Sequence, residues 1–211
     1  MENSSKDHWE KIYESRQETD FSWFQPYPKT SIEFIKLFDL PKDARIIDIG
    51  GGDSHLVDAL IELGYTNISV LDISANAIER ARKRLGSKAA MVQWIVCDIT
   101  EFESDVMFDF WHDRAAFHFL TDDDQIAKYL SIVQKNLAPH GYLVLGTFSE
   151  NGPNKCSGLD IHQYSVASMS AVFEKDFKRI KCIEENHSTP SHTVQNFVFC
   201  AFQKILRDTA T

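Results

Sequence analysis

Three carboxylates and a run of glycines are the first residues in this chain whose types and spacing could do chemistry. Asp48 precedes Gly50, Gly51, Gly52 and Ser54 in the segment IIDIGGGDS. Glycines at such a turn let the backbone bend sharply and approach a ligand closely, and the N-terminus of a following helix favours polar or negative groups. Asp72, in VLDIS, lies about 20 residues further on, where an acid meets ribose hydroxyls in nucleotide-binding folds. Its carboxylate can accept two O–H bonds from a ribose diol. Asp98 stands in VCDIT. Each aspartate taken singly also reads as a helix cap or loop residue; the three together, beside a glycine turn, read as a nucleotide site.

A second group lies in FDFWHDRAAFHFL. Asp113 and Arg114 either serve a ligand or form a structural ion pair. Arg114 could hold an anionic substrate or help a thiol lose its proton. His112 and His118 are candidate general bases, or structural histidines. Cys156, His162, His187 and His192 invite a metal site, but their spacing matches no zinc pattern, and no metal is expected.

The elements that must position these residues alternate. Apolar spacing predicts helices over Lys6–Arg16 and Thr30–Leu40, separated by the aromatic segment FSWFQPYP. Strands are expected at Arg45–Ile49, Asn67–Leu71, Met91–Val96, Met107–Trp111 and Gly141–Phe148. Helices fall between them at Ser54–Leu63, Ala75–Leu85 and Asp122–Leu137. Ser74 and Gly86 bracket the middle helix as caps, and Thr121 with Asp124 suggests a variant capping box for the last. A helix near Val166–Phe173 and two strands, Phe177–Glu184 and Gln195–Gln203, close the chain. Strand–helix alternation implies right-handed parallel units. The expected fold is α/β: a Rossmann-like, seven-stranded, mostly parallel sheet with an antiparallel edge strand, helices on both faces and an N-terminal helical extension. One domain is expected over 1–211, made of the extension (1–42), a cofactor-binding core (43–148) and an acceptor-side region (149–211).

Composition narrows the partners. The formal charge of −9 argues against unassisted binding to a phosphate backbone, so no nucleic-acid partner is expected. The densest basic cluster, Arg80, Arg82, Lys83 and Arg84, reads as a solvated helix face. The polar amino terminus has no apolar core of a secretory leader, and no apolar run is long enough for a membrane span. Cys97, Cys156, Cys182 and Cys200 form no CxxC pair, so reduced thiols in a cytoplasmic monomer are expected.

Two cofactor classes use a strand–glycine–helix turn. A dinucleotide fingerprint counted from Gly50 puts His55 where its third glycine belongs, so that pattern fails. S-Adenosylmethionine carries an ammonium and no pyrophosphate, and an acid at the strand end suits it. From Asp48 through Gly50, Gly52 and Ser54 the chain resembles the first motif of class I methyltransferases, an acid followed by x-G-x-G-x-G, with Ser54 replacing the last glycine. The resemblance implies S-adenosylmethionine as cofactor, S-adenosylhomocysteine as product, and an adenine contact from Asp98 and the Ile99 backbone. It assigns the cofactor side to Trp23, Asp48, Gly50, Gly51, Gly52, Ser54, Asp72, Ile73, Asp98, Ile99 and Asp113, and catalysis to His112, Asp113 and Arg114.

Trp111, an inserted His112, then Asp113, Arg114 and Ala115 are similar to the W-D-R-G-A-L segment of the thiopurine methyltransferase-like family, which methylates small thiols and chalcogen compounds. The N-terminal half, with W-x-x-x-Y, F-x-W-F and GGGDSHLVDALIELGYTNISVLDIS, resembles enzymes that methylate lysines of elongation factors. In both, the aromatic segment covers the cofactor. Trp23, Phe24 and Gln25 are therefore lid candidates, with simple packing of the N-terminal helix as the alternative. The expected function is methyl transfer to a small thiol, chalcogen or anionic acceptor. A protein lysine is the alternative acceptor, and a non-catalytic nucleotide-binding module is a remote third reading.

Overall fold

A computed structural model of the chain describes residues 5–206. The first four residues of the polar amino terminus discussed above lie outside the described residues. The architecture is the expected one, a Rossmann-like, seven-stranded, mostly parallel sheet with helices around it. Among the described residues no helix is long and apolar enough to cross a membrane. The chain forms two compact units, Met1–Phe102 with Ser188–Val194, and Glu103–His187 with Gln195–Thr211.

The first unit holds α1 (Ser5–Ser15), α2 (Lys29–Leu37), β1 (Arg45–Ile49), α3 (Leu56–Glu62), β2 (Asn67–Asp72), α4 (Ala75–Leu85) and β3 (Val92–Val96). Its strands run parallel in the order β3-β2-β1, with Asp48 in register with Val70 and Asp72 with Val96. Ile46, Ile47 and Ile49 are all buried, as expected of a parallel strand covered on both faces. The capping signals set α4 to the residue: Ser74 Oγ accepts from the Ala77 N–H at 3.2 Å, and Gly86 takes φ +57° at the other end. Its buried stripe is Ala77, Ile78, Ala81 and Leu85.

The second unit holds β4 (Phe108–Arg114), α5 (Asp123–Asn136), β5 (Leu137–Phe148), β6 (Lys155–Cys156), β7 (Leu159–Asp160), α6 (Val166–Phe173), β8 (Phe177–Ser188) and β9 (Val194–Lys204). Here the order is β4-β5-β9-β8, with β4 parallel and β9 antiparallel to β5. Three expectations need correcting. β4 runs on to Arg114 because its segment is buried against neighbours despite its polar residues. Asp122, not Thr121, is the N-cap of α5, and it makes no side-chain cap bond. Cys182 and Cys200 are not free thiols: β8 and β9 lie side by side with these two Cα atoms 4.2 Å apart, and a disulfide joins them.

Candidate active site

In the first unit the glycine turn is pressed onto two acids. A Cβ at Gly51 would stand 2.5 Å from Asp48 Oδ2, and one at Gly52 would stand 2.5 Å from Asp72 Oδ2. Gly50 and Gly52 take φ of +63° and +27°, conformations that side chains disfavour. Ser54 stands where a further glycine was looked for, and its Oγ accepts from the Leu56 N–H at 3.1 Å, one residue ahead of His55, the N-cap of α3. Asp48 and Asp72 are both buried. Burial pushes the Asp72 carboxyl up to about 7, and the neighbouring carboxylates of Asp48 and Glu10 push the same way against backbone bonds from Ser74 and Ile73. Asp72 Oδ1 accepts from Ser74 N–H at 2.8 Å, and Asp98 Oδ1 accepts from both the N–H and the hydroxyl of Thr100 at 2.8 Å. Each acid thus fixes its own orientation with one oxygen. Ile73 and Ile99 follow their acids and are half-buried.

Two charged clamps hold this region, and neither was read from the sequence. Glu10 reaches from α1 to cap α4, accepting from Ala75 N–H (2.8 Å), Asn76 N–H (3.0 Å) and Ser74 Oγ (2.8 Å). A carboxylate suits the positive end of a helix dipole. Arg84 reaches the glycine segment from the far end of α4. It donates to Asp53 Oδ1 (2.6 Å), the Asp53 carbonyl (3.1 Å), the Ser54 carbonyl (2.8 Å) and Asp58 Oδ2 (2.9 Å). Arg80 pairs with Asp53 at 3.3 Å and lies over the Phe21 ring at 5.6 Å. The expected solvated face is therefore half right: Arg82 and Lys83 are exposed, whereas Arg80 and Arg84 are partly buried and paired. Trp23 stacks on Phe21 at 4.7 Å and packs with Trp9 against the cluster of Ile12, Tyr13, Phe21 and Ala77. These contacts pack the aromatic segment and α1 against α4.

In the second unit the end of β4 is a strained turn. Ala115 takes φ +64°, a left-handed conformation that costs a non-glycine residue about 1 kcal/mol. The Ala115 N–H donates to the Gly146 carbonyl at 2.8 Å. Asp113, fully buried, holds the turn: Oδ1 accepts from the N–H groups of Ala116 (3.1 Å) and Phe117 (3.0 Å), and Oδ2 from the Tyr129 hydroxyl (2.8 Å). Burial pushes its carboxyl up to about 6 against those three bonds. These bonds make Asp113, the residue expected on the cofactor side and in catalysis, one that also shapes the turn. His112, in register with Val144, is 2% exposed. Arg114 differs from both. Its guanidinium lies 5.2 Å over the Phe197 ring, and its charge bears on His118 and on Cys156.

The methyltransferase-domain family matches residues 40–198. The chain belongs to that family. Among curated methyltransferases, the mouse eEF1A lysine and N-terminal methyltransferase is 31% identical over 142 residues, which is 66% of this chain and 20% of that protein. Nodulation protein S of Rhizobium tropici is 31% identical over 80 residues, 38% of this chain and 33% of that protein. The chain thus spans well under two thirds of the curated relatives it matches. Among solved structures, an enzyme described by the conversion of a disulfide bond into a thioacetal during echinomycin biosynthesis gives a TM-score of 0.75 at 16% identity, covering 97% of this chain and 95% of its own. The N-methyltransferase NodS of Bradyrhizobium japonicum, solved with S-adenosylhomocysteine, gives 0.69 at 17% identity, covering 94% and 99%. At such identities these two likenesses speak to the methyltransferase fold.

Proposed function

We infer that this methyltransferase uses S-adenosylmethionine and that its acceptor is a small molecule with a thiol, chalcogen or anionic nucleophile. The donor fits the first unit on its charge. Asp48, Asp72 and Glu10 crowd negative charge around the glycine turn, which a cationic ligand relieves and a pyrophosphate would aggravate. Asp72 would take the ribose hydroxyls, Asp48 the ammonium side, Asp98 with Ile99 the adenine, and Ile73 an apolar edge. When bound, S-adenosylmethionine supplies a methyl group already activated by its sulfonium. The chain's own task is to hold the acceptor in line, exclude water and keep the nucleophile unprotonated.

The observation that carries the acceptor reading is Arg114, held over Phe197 at the end of β4. A guanidinium there favours a negative nucleophile and opposes a lysine ammonium. Protein lysine is the second reading. It is favoured by the likeness to the eEF1A methyltransferases, and a charge of −9 would attract basic partners. Arg114→Met separates the two, assayed with methyl-labelled cofactor against a panel of small thiols and a protein extract. Loss of thiol methylation with intact cofactor binding is expected. Equal labelling of a protein by both forms, with no thiol ever methylated, transfers the assignment to lysine.

A further inference from the structure

The second unit ends in an open sheet edge. In its strand order, β4-β5-β9-β8, β8 comes last. Lys178, Arg179, Ile180 and Lys181 are consecutive exposed residues of β8, and neighbouring side chains of a strand point to opposite faces, so both faces are open there. Ile180 is 41% exposed. The backbone is turned outward as well. β8 and β9 follow one another through a short loop, and the Cα atoms of Cys182 and Cys200 lie 4.2 Å apart. That is the spacing of an antiparallel pair whose N–H and C=O groups turn away from each other. Cys182, and with it Ile180 and Glu184 two residues to either side, therefore points its backbone groups away from β9. Such an edge is a template for another strand, and proteins often blunt it with charge. Here the charge is of two signs, and the signs are sorted. Lys178, Arg179 and Lys181 occupy the first half of β8, Glu184 and Glu185 the second. A strand of one sign repels its own copy in either direction. A strand with sorted signs repels a parallel copy and attracts an antiparallel one.

We propose that β8 is an interface for a second copy of this chain, whose own β8 adds antiparallel across a two-fold axis. This departs from the monomer expected of the sequence. A two-fold pair of antiparallel strands sets one residue opposite its own copy. Lys181 in that place would face a like charge. Cys182 in that place sets Ile180 opposite the partner's Glu184 and brings Lys178 onto the diagonal to the partner's Glu184, within reach of a long side chain. Lys178 and Glu184 are both exposed, and their even spacing puts them on one face of β8. The same register aligns the outward N–H and C=O groups of Ile180, Cys182 and Glu184 with those of the copy, so main-chain bonds supply the affinity and the charges supply the direction. Arg179 already donates to Ser170 Oγ at 3.0 Å, and Lys181 and Glu185 hold contacts within the chain. The pairing is therefore assigned to Lys178 and Glu184 and draws on none of those three. The interface is one strand wide and each copy carries a charge of −9, so the association is weak.

The test uses the full chain with its disulfide closed. Analytical ultracentrifugation should find a monomer–dimer equilibrium with a Kd on the order of 10–100 µM. Lys178→Glu and Glu184→Lys each place like charges on both diagonals, and each should weaken the dimer about tenfold. An equimolar mixture of the two variants should dimerise about as tightly as wild type, because each strand then supplies the sign that the other lacks. The double variant Lys178→Glu/Glu184→Lys, in which the signs are exchanged, should associate with itself again. A wild type that stays monomeric up to about 500 µM overturns the proposal. So does a dimer that both single variants leave intact, since it would use another surface. Hydrogen exchange of the wild type gives a reading that needs no variant. The N–H groups of Ile180, Cys182 and Glu184 should exchange about threefold more slowly, or slower still, at concentrations where the dimer prevails. Unchanged exchange at these positions in a dimeric sample would overturn the proposal as well.

Discussion

The two units hold their central turns in different ways. In the first, charge is wired. Arg84 ties Asp53, Ser54 and Asp58 together, and Glu10 closes the N-terminus of α4 with three bonds. In the second, one buried acid, Asp113, accepts from the Ala116 and Phe117 N–H groups and from the Tyr129 hydroxyl, and Ala115 holds a disfavoured φ. The difference teaches what each turn depends on. A turn tied by several charge pairs draws on electrostatics that salt can weaken. A turn held around one buried acid draws on burial, and salt should disturb it less.

The comparison is broken most directly at Asp72. Asp72→Asn removes the charge but keeps the shape, and is expected to cost on the order of a hundredfold in S-adenosylmethionine affinity by calorimetry. The same change should raise the stability of the ligand-free protein. The Asp72 carboxyl, pushed up to about 7 by burial, binds more protons folded than unfolded between about pH 4 and 7. Wild-type stability from this group therefore falls as pH rises through that window, by up to a few kcal/mol. Asn carries no such loss, so its melting temperature should exceed wild type most clearly above pH 7. Cofactor affinity in the wild type should weaken as pH falls below 7. A pH-independent affinity would remove Asp72 from the cofactor's contacts.

Arg84→Met comes next. It leaves Asp53, only 5% exposed at its side chain, paired with Arg80 alone. We expect a loss of about 2–3 kcal/mol in chemical unfolding, since breaking a half-buried network costs less than the fully buried limit. Cofactor affinity should fall about tenfold as the Asp53–Ser54 backbone loosens. Unchanged affinity with lowered stability would make the clamp purely structural. Glu10→Gln tests the other clamp. It keeps part of the hydrogen bonding and loses the charge at the helix dipole, and should cost about 1 kcal/mol.

Sequence and structure agree where the signals are local. The limits of α4 were legible because Ser74 and Gly86 flank an unbroken apolar stripe, and β1 was legible because glycines end an apolar run. The three acids fell at strand ends, as spacing indicated. The clamps were not legible, because Arg84 meets residues that precede it by 26 to 31 positions, and only the packing of α4 brings them together. Nothing in RARKR separates the two arginines that turn inward from their exposed neighbours. The tautomer of His118 is likewise invisible in FHFL; it depends on an N–H from β5, 30 positions away. The disulfide needed the pairing of β8 and β9, which spacing alone leaves open.

The smallest expected effect sharpens the comparison from the second unit. Ala115→Gly relieves the left-handed strain but frees the unfolded chain, and should stabilise the protein by about 0.5 kcal/mol. If the strain helps to aim Arg114, the variant should also lose turnover at unchanged cofactor affinity. Destabilisation on this change would show that the methyl of Ala115 packs usefully and that the turn is not under strain.

The Cys182–Cys200 bridge makes the chain a reporter of its surroundings. It closes a loop of 18 residues, and a closed loop of that size restrains the unfolded chain by about 3 kcal/mol. Cys200 is fully buried whereas Cys182 is half-buried, so in the folded protein only the reduced form should offer Cys182 to an alkylating reagent. After denaturation the two states differ by two alkyl groups in mass. A preparation taken from its native compartment and trapped at once would therefore carry a record of whether that compartment leaves the bridge closed. A reducing one would leave the protein without those 3 kcal/mol, dependent on its packed core and on the ion pairs around Arg84.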